Sequence, residues 1–170
     1  VPEGRRIFAD LAVDENLTVG CALVERDRLQ ANRSRVCETF PKLALRGFQA
    51  AGSLSGGKQQ MLAIGRAMMF DPELLLVDDL SLGLMPAADG DCYRALNSLR
   101  EEISAILQVE QSTDRVVEAG DRIAVIETGR IARTGTGAEA ARNDAVARAY
   151  LGSEPDGRAD DSELTGEAKG

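Results

Sequence analysis

Leu54-Ser55-Gly56-Gly57-Lys58-Gln59-Gln60, followed one helix length later by Leu74-Leu75-Leu76-Val77-Asp78-Asp79, is the stretch that decides the fold of this 170-residue sequence. The first amides of a helix have no internal partners, so a Ser-Gly-Gly turn opening a helix offers N–H groups and a hydroxyl to an anion. Glycines permit close backbone approach to a phosphate. Ser-Gly-Gly by itself reads as a plain helix cap; the full string from Leu54 to Gln60 favours the phosphate reading. An apolar strand ending in two carboxylates places acids where open α/β sheets bind ligands and hold Mg2+. Asp78 alone would serve as a strand-end or helix-cap carboxylate; behind four apolar residues and the glycine turn it reads as the Mg2+-linked acid. No G-x-x-x-x-G-K-[ST] phosphate loop occurs in the sequence, and none of Lys42, Lys58 and Lys169 precedes Ser or Thr.

Outward from this stretch, Met61, Ile64, Gly65 and Met68 recur at helical spacing and predict a helix over 58–70, ended by Asp71-Pro72. Residues 74–77 form a short continuous apolar run, expected of a parallel strand covered on both faces. Pro86 suits the first turn of a helix running through Tyr93, Leu96 and Leu99. A strand over 103–109 and a short helix over 113–119 follow. Residues 123–126 and 131–133 flank Glu127-Thr128-Gly129-Arg130 as a hairpin, and short helices around Glu139 and over 146–150 end the pattern. On the N-terminal side, residues 1–51 carry amphipathic patches broken by turns. Asp14-Glu15-Asn16 open a helix carrying Leu17, Val19, Leu23 and Val24. Residues 26–37 form a surface helix, and Phe40-Pro41 punctuates it. Strand alternating with helix after Leu74 predicts a parallel α/β sheet with right-handed crossovers.

Composition narrows the function classes. The net charge of −8 argues against a nucleic-acid-binding surface. Half of it lies in residues 153–170, where six acids oppose Arg158 and Lys169, and this Gly-, Ser- and acid-rich tail is expected to be disordered. Cys21, Cys37 and Cys92 show no metal or redox spacing and read as reduced thiols. With no histidine, the commonest general base and metal ligand is missing. No segment has the apolar length of a membrane span, and no secretory signal opens the sequence.

The Leu54–Gln60 string and the Leu74–Asp79 string resemble the signature and Walker B motifs of ABC-transporter ATPases. The resemblance extends to Gly152 and is to the ATP-binding subunits of branched-chain amino acid importers. It is carried by Val1-Pro2-Glu3-Gly4-Arg5-Arg6-Ile7-Phe8, Val13-Asp14-Glu15-Asn16-Leu17, Phe40-Pro41, Gln59-Gln60-Met61-Leu62-Ala63-Ile64-Gly65-Arg66-Ala67, Ser81-Leu82-Gly83-Leu84, Val109-Glu110-Gln111 and Ala149-Tyr150-Leu151-Gly152.

The resemblance implies an ABC-type P-loop NTPase nucleotide-binding domain. Residues 1–152 would be part of that domain: 1–57 a mostly helical subdomain ending in the signature, 58–152 the Walker B core and C-terminal part, with 153–170 as tail. It implies ATP and Mg2+ as cofactors, with Ser55, Gly56, Gly57 and Gln59 on the nucleotide and Asp78 with Glu3 at the metal. Asp79 falls at the general base, where the family has Glu, and Gln111 where many relatives keep a histidine near the γ-phosphate. Glu3, otherwise a solvated turn acid, falls at the Q-loop; Ser81 to Leu84 fall at the D-loop that meets the opposite protomer; Lys58 replaces an acid. The implied partners are a second ABC ATPase subunit and integral membrane permease subunits, at the cytoplasmic face of the inner membrane. Family members carry a phosphate-loop region ahead of these motifs, so the chain is expected to be a fragment inactive alone. The alternative is a non-catalytic regulatory or interaction module derived from an ABC ATPase.

Overall fold

The computed structural model of the chain describes residues 1–21, 24–80, 86–111 and 113–141. The D-loop string Ser81 to Leu84, the helix expected over 146–150 and the acidic tail lie outside the described residues. The chain divides into two compact units, residues 1–115 and 116–170.

The first unit begins with α1 (Val13–Val19), α2 (Arg26–Thr39), the single-turn α3 (Pro41–Ala44) and a 3-10 turn at Ala51–Ser53. It continues through α4 (Gly56–Met68), β1 (Leu74–Asp78), α5 (Pro86–Leu99) and β2 (Ala105–Val109). Its core is one cluster in which Leu17, Val36, Leu43, Leu62, Ile64 and Met68 from the helices meet Leu75, Val77, Leu96 and Leu99.

Helix α4 is the hub, with Met61, Leu62, Ala63, Ile64, Gly65 and Met68 all buried. A Cβ on Gly65 would lie 2.8 Å from Val36 Cγ1 of α2 and 3.4 Å from Leu17 Cδ2 of α1, so the bare glycine lets the helices meet. The helix starts two residues earlier than the sequence pattern suggests and stops at Met68 rather than Phe70. Asp71 explains the stop: it takes a left-handed φ of 51° and accepts hydrogen bonds from Arg28 Nη1 (2.9 Å) and Arg35 Nη1 (2.7 Å) of α2. Asn32, also on α2, is buried and donates from Nδ2 to the Met69 carbonyl at 3.1 Å. Pro41 both ends α2 and opens α3, and Lys42 on α3 pairs with Asp91 on α5. Helix α1 ends at Val19, short of the Val24 assigned to it from sequence, while Leu23 lies outside the described residues. A Cβ on the capping Gly20 would fall 2.5 Å from the Arg66 carbonyl oxygen, so α1 and α4 approach closely here.

Strands β1 and β2 pair in parallel, Leu74 opposite Ala105 through Asp78 opposite Val109. The strand expected over 103–109 begins at Ala105, with Ile103 buried in the turn before it. Leu75 and Val77 face the core, but Leu74 and Leu76 are each 53% exposed and Leu107 and Val109 are 59% and 54% exposed. The expectation that β1 is covered on both faces is therefore corrected. Alternation sends every second side chain of a parallel pair to one face, and the helices of this unit cover only the other.

In the second unit, β3 (Arg122–Glu127) and β4 (Arg130–Thr136) form the expected hairpin as their own antiparallel sheet. Its turn is two residues, Thr128 and Gly129, at φ of 47° and 77°, which matches the mirror-image turn suited to strand twist. Helix α7 (Gly137–Ala141) lies around Glu139 as the sequence suggests. A reciprocal box opens it, the Thr136 amide donating to Glu139 Oε2 at 2.9 Å and the Glu139 amide to Thr136 Oγ1 at 3.2 Å. Helix α6 (Thr113–Ala119) spans the boundary between the units in sequence.

The Gly65 contact decides between two opposed effects. Gly→Ala inside a helix gains about 1 kcal/mol of propensity, whereas overpacking a close-packed core costs typically about 1–3 kcal/mol. Gly65→Ala is expected to lower the urea midpoint, and Gly65→Val to lower it further. A raised midpoint for Gly65→Ala would show that α1 and α2 can move away at no cost.

Candidate functional site

At the start of α4, Ser55 has extended backbone geometry and makes no side-chain cap to the helix. Its Oγ instead accepts from Lys58 Nζ at 3.1 Å. The plain-cap alternative is thus not the arrangement found, and the leading amides of α4 are left for another acceptor. Gln59 is turned by its Nε2, which donates to the Gly52 carbonyl at 3.3 Å, so that its Oε1 accepts from Arg5 Nη1 at 3.1 Å. The Arg5 guanidinium lies across Gly56, where an added Cβ would come 3.1 Å from Arg5 Nη2.

Arg5 belongs to a tight turn around Glu3 with three successive left-handed residues, Gly4 (73°), Arg5 (65°) and Arg6 (46°). Non-glycine residues hold such geometry only where surroundings enforce it, at about 1–3 kcal/mol each. The enforcement is visible. Arg66 of α4 donates from Nη2 to the Arg6 carbonyl at 2.6 Å, and its guanidinium sits 5.2 Å from the Phe8 ring centroid. Burial pushes the Arg66 pKa down, and its Nη1 has no hydrogen-bond partner. Asn16, fully buried, accepts from the Phe8 amide at 2.9 Å and returns a bond from Nδ2 to the Phe8 carbonyl at 2.9 Å.

The second cluster lies at the C-terminal ends of β1 and β2. Asp78 ends β1, and its amide donates to the Val1 carbonyl at 3.0 Å, which places Glu3 two residues along the chain from this contact. Asp79 leaves the strand at a left-handed φ of 46°, its amide bonded to the Val109 carbonyl at 2.9 Å. Gln111 Nε2 donates to Asp79 Oδ2 at 2.6 Å. Asp79 and Gln111 are therefore brought together across 32 residues. Ser55, Gly56, Gly57 and Gln59 form the separate cluster on α4, and no hydrogen bond or ion pair among the described residues joins them to Asp78, Asp79 or Gln111.

Among the described residues no three of His, Cys, Asp and Glu gather as a cage for a metal. Mg2+ in phosphoryl-transfer sites is held by one or two carboxylates together with phosphate oxygens and water, and a strand-end aspartate fits that mode. The open amides of α4 with Lys58 and Arg5 beside them likewise fit an anionic nucleotide.

Sequence reasoning missed Arg5, Asn16 and Arg66 as supports. Asn16 carried a signal: at helical spacing it shares a face with Val13 and Leu17, and a short amide side chain on that buried face must find partners.

An ABC transporter family model matches residues 1–81. The chain is 45% identical over 152 residues to the high-affinity branched-chain amino acid transport ATP-binding protein BraG of Pseudomonas aeruginosa, covering 89% of this chain. It is 29% identical over 153 residues to the probable branched-chain amino acid transport ATP-binding protein LivF of Archaeoglobus fulgidus, again with 89% of this chain covered. It spans 65% of the length of each. Among solved structures, the ADP conformation of an ATP-binding cassette of an ABC transporter superposes with a TM-score of 0.70 at 22% identity, covering 86% of this chain and 61% of that one. The structure of cbiO1 from Clostridium perfringens, part of an ABC transporter complex, gives 0.72 at 19%, covering 83% and 57%. The fold is that of an ABC-type nucleotide-binding domain, mixed α/β with a parallel sheet.

Asn16 tests the support of the Glu3 turn. Asn16→Ala leaves the Phe8 amide and carbonyl unpaired, at about 1–3 kcal/mol for a buried polar group. Hydrogen exchange across residues 6–12 is expected to rise more than in β2. Unchanged protection of the Phe8 amide would refute the assigned role.

Proposed function

We propose, from the similarity of the chain to ABC transporter ATP-binding proteins, that it is the signature- and Walker B-bearing part of an ATP-binding, ATP-hydrolysing subunit that energises import of branched-chain amino acids. The observation that carries the reading is the Asp79–Gln111 hydrogen bond at the carboxyl ends of two parallel strands, next to Asp78. The named function of BraG and LivF supports the substrate class. The partners are a second ABC ATPase subunit, the same or a paralogue, and membrane permease subunits; nucleic acid is not among them. No helix among the described residues is long and apolar enough to cross a membrane, and the proposed location is peripheral, on the cytoplasmic face of the inner membrane.

The residues divide the work. Ser55 and the amides of Gly56 and Gly57, with Gln59, contact the triphosphate held by the opposite subunit. Asp78 would hold Mg2+, with Glu3 as the proposed second carboxylate. Bound there, the metal would neutralise phosphate charge. Asp79 orients the attacking water and accepts its proton; Gln111 holds that carboxylate in place. The sequence contains no phosphate loop, so Ser55, Gly56 and Gly57 contribute only the trans half of a nucleotide site, and Asp78 lacks the phosphate-bound Mg2+ it would coordinate. The rival reading, a non-catalytic module, is favoured by Asp79 standing where relatives of the resembled family have Glu.

Two measurements separate them. Titration calorimetry of this chain with Mg-ATP is expected to give no saturable heat; one-to-one binding would show that the phosphate loop is dispensable. In the full-length subunit, Asp79→Glu is expected to raise kcat by roughly tenfold or more with KM little changed, as for an interaction made mainly in the transition state. Asp78→Asn should weaken Mg2+-dependent binding and turnover together. If Asp79→Ala and Asp79→Glu both match the parent, Asp79 is not the base and the non-catalytic reading stands.

A further inference from the structure

Beside the Asp79–Gln111 pair lies a second polar group that the proposed reaction does not use. Glu110 is the single residue between the end of β2 and Gln111. Its Oε1 accepts from the Tyr93 hydroxyl at 2.7 Å and from Gln108 Nε2 at 3.1 Å. Tyr93 lies on α5, buried between Cys92 and Leu96, which are themselves buried in the core. A phenol with its ring fixed in a core is a donor with little freedom left to lose. Hydrogen bonds to an ionised carboxylate are the strong kind.

We propose that Tyr93 and Glu110 are positioning residues that fix Gln111 against Asp79. The inference rests on the catalytic reading of Asp79 for its functional consequence, while its geometry is independent of that reading.

Along an extended chain, side chains alternate between faces, so Gln108 and Glu110 share one side and Gln111 points to the other. The Gln108–Glu110 bond agrees with this alternation. With the Glu110 carboxylate pinned to α5, the peptide that follows has a set direction, and Gln111 leaves it toward Asp79. Gln111 is exposed and Asp79 half-buried, and a free glutamine there would sample several rotamers.

The test reads Gln111 directly. In the 15N-labelled chain, side-chain relaxation should show a restrained Gln111 Nε2. Tyr93→Phe and Glu110→Ala are expected to bring its heteronuclear NOE down to that of exposed Gln30. Glu110→Gln should preserve most of the restraint, since an amide oxygen still accepts the phenol proton. In the full-length subunit, Tyr93→Phe is expected to lower kcat about tenfold with KM unchanged, and Glu110→Gln to lower it far less. A Gln111 that stays restrained in both Tyr93→Phe and Glu110→Ala overturns the proposal, as does a drop in melting temperature with no change in Gln111 relaxation. If Gln111 loosens as expected but the parent subunit does not turn over ATP, the positioning stands and the catalytic reading of Asp79 fails.

Discussion

Everything in the first unit depends on how closely α4 can be approached. The helix carries the Ser55 turn at one end and Arg66 near the other, and it is buried by α1, α2, α3 and α5. That degree of enclosure requires a position with no side chain where α1 and α2 meet it, and Gly65 supplies it. A single methyl there would push on Val36, and through α2 on the arginines that hold Asp71. The packing of one glycine thus sets how α4, with the Ser55 turn at its start, sits against α1 and α2.

Strain at the Glu3 turn is met by a complementary device. Arg5 and Arg6 hold left-handed geometry because Arg66 and Asn16 bind the backbone on its far side. Arg66 pays in desolvation, with one nitrogen buried and unpaired. Such cost is retained where a fixed geometry is needed. Here it places Arg5 over Gly56 and onto Gln59, so the turn bearing Glu3 and the helix bearing the glycines respond to one another.

Much of this was legible beforehand, and the reasons differ by element. Helix α4 was visible because its apolar positions recur at one period and Asp71-Pro72 stops it; its ends were misplaced because the stop is made by a tertiary contact from α2. Strand β1 was visible as an apolar run, but such a run says nothing of what covers each face, and Leu74 and Leu76 proved exposed. The proposed site residues Ser55, Gly56, Gly57, Asp78 and Asp79 stand in recognisable strings, and Glu3 and Gln111 enter through their neighbours. Arg66 and Glu110 stood in those strings too, but their roles depend on partners 60 and 17 residues away. No local pattern encodes that distance.

The Asp79 substitution gains a physical sense from its backbone. At a φ of 46°, aspartate is among the few non-glycine residues that sit comfortably, whereas the longer glutamate has no such local advantage. Local geometry therefore favours Asp at this position while reach toward a water favours Glu. The partner across the strands compensates in part: Gln111, with a flexible arm, closes on the short carboxylate to 2.6 Å. An amide does so without titrating in the physiological range, in a chain that has no histidine at all. The pair is thus a self-consistent arrangement in which a short acid on a left-handed turn is matched by a long, neutral donor. That consistency extends to the carboxylate of Glu110 beside it, held on the helix that follows Asp79 in the chain.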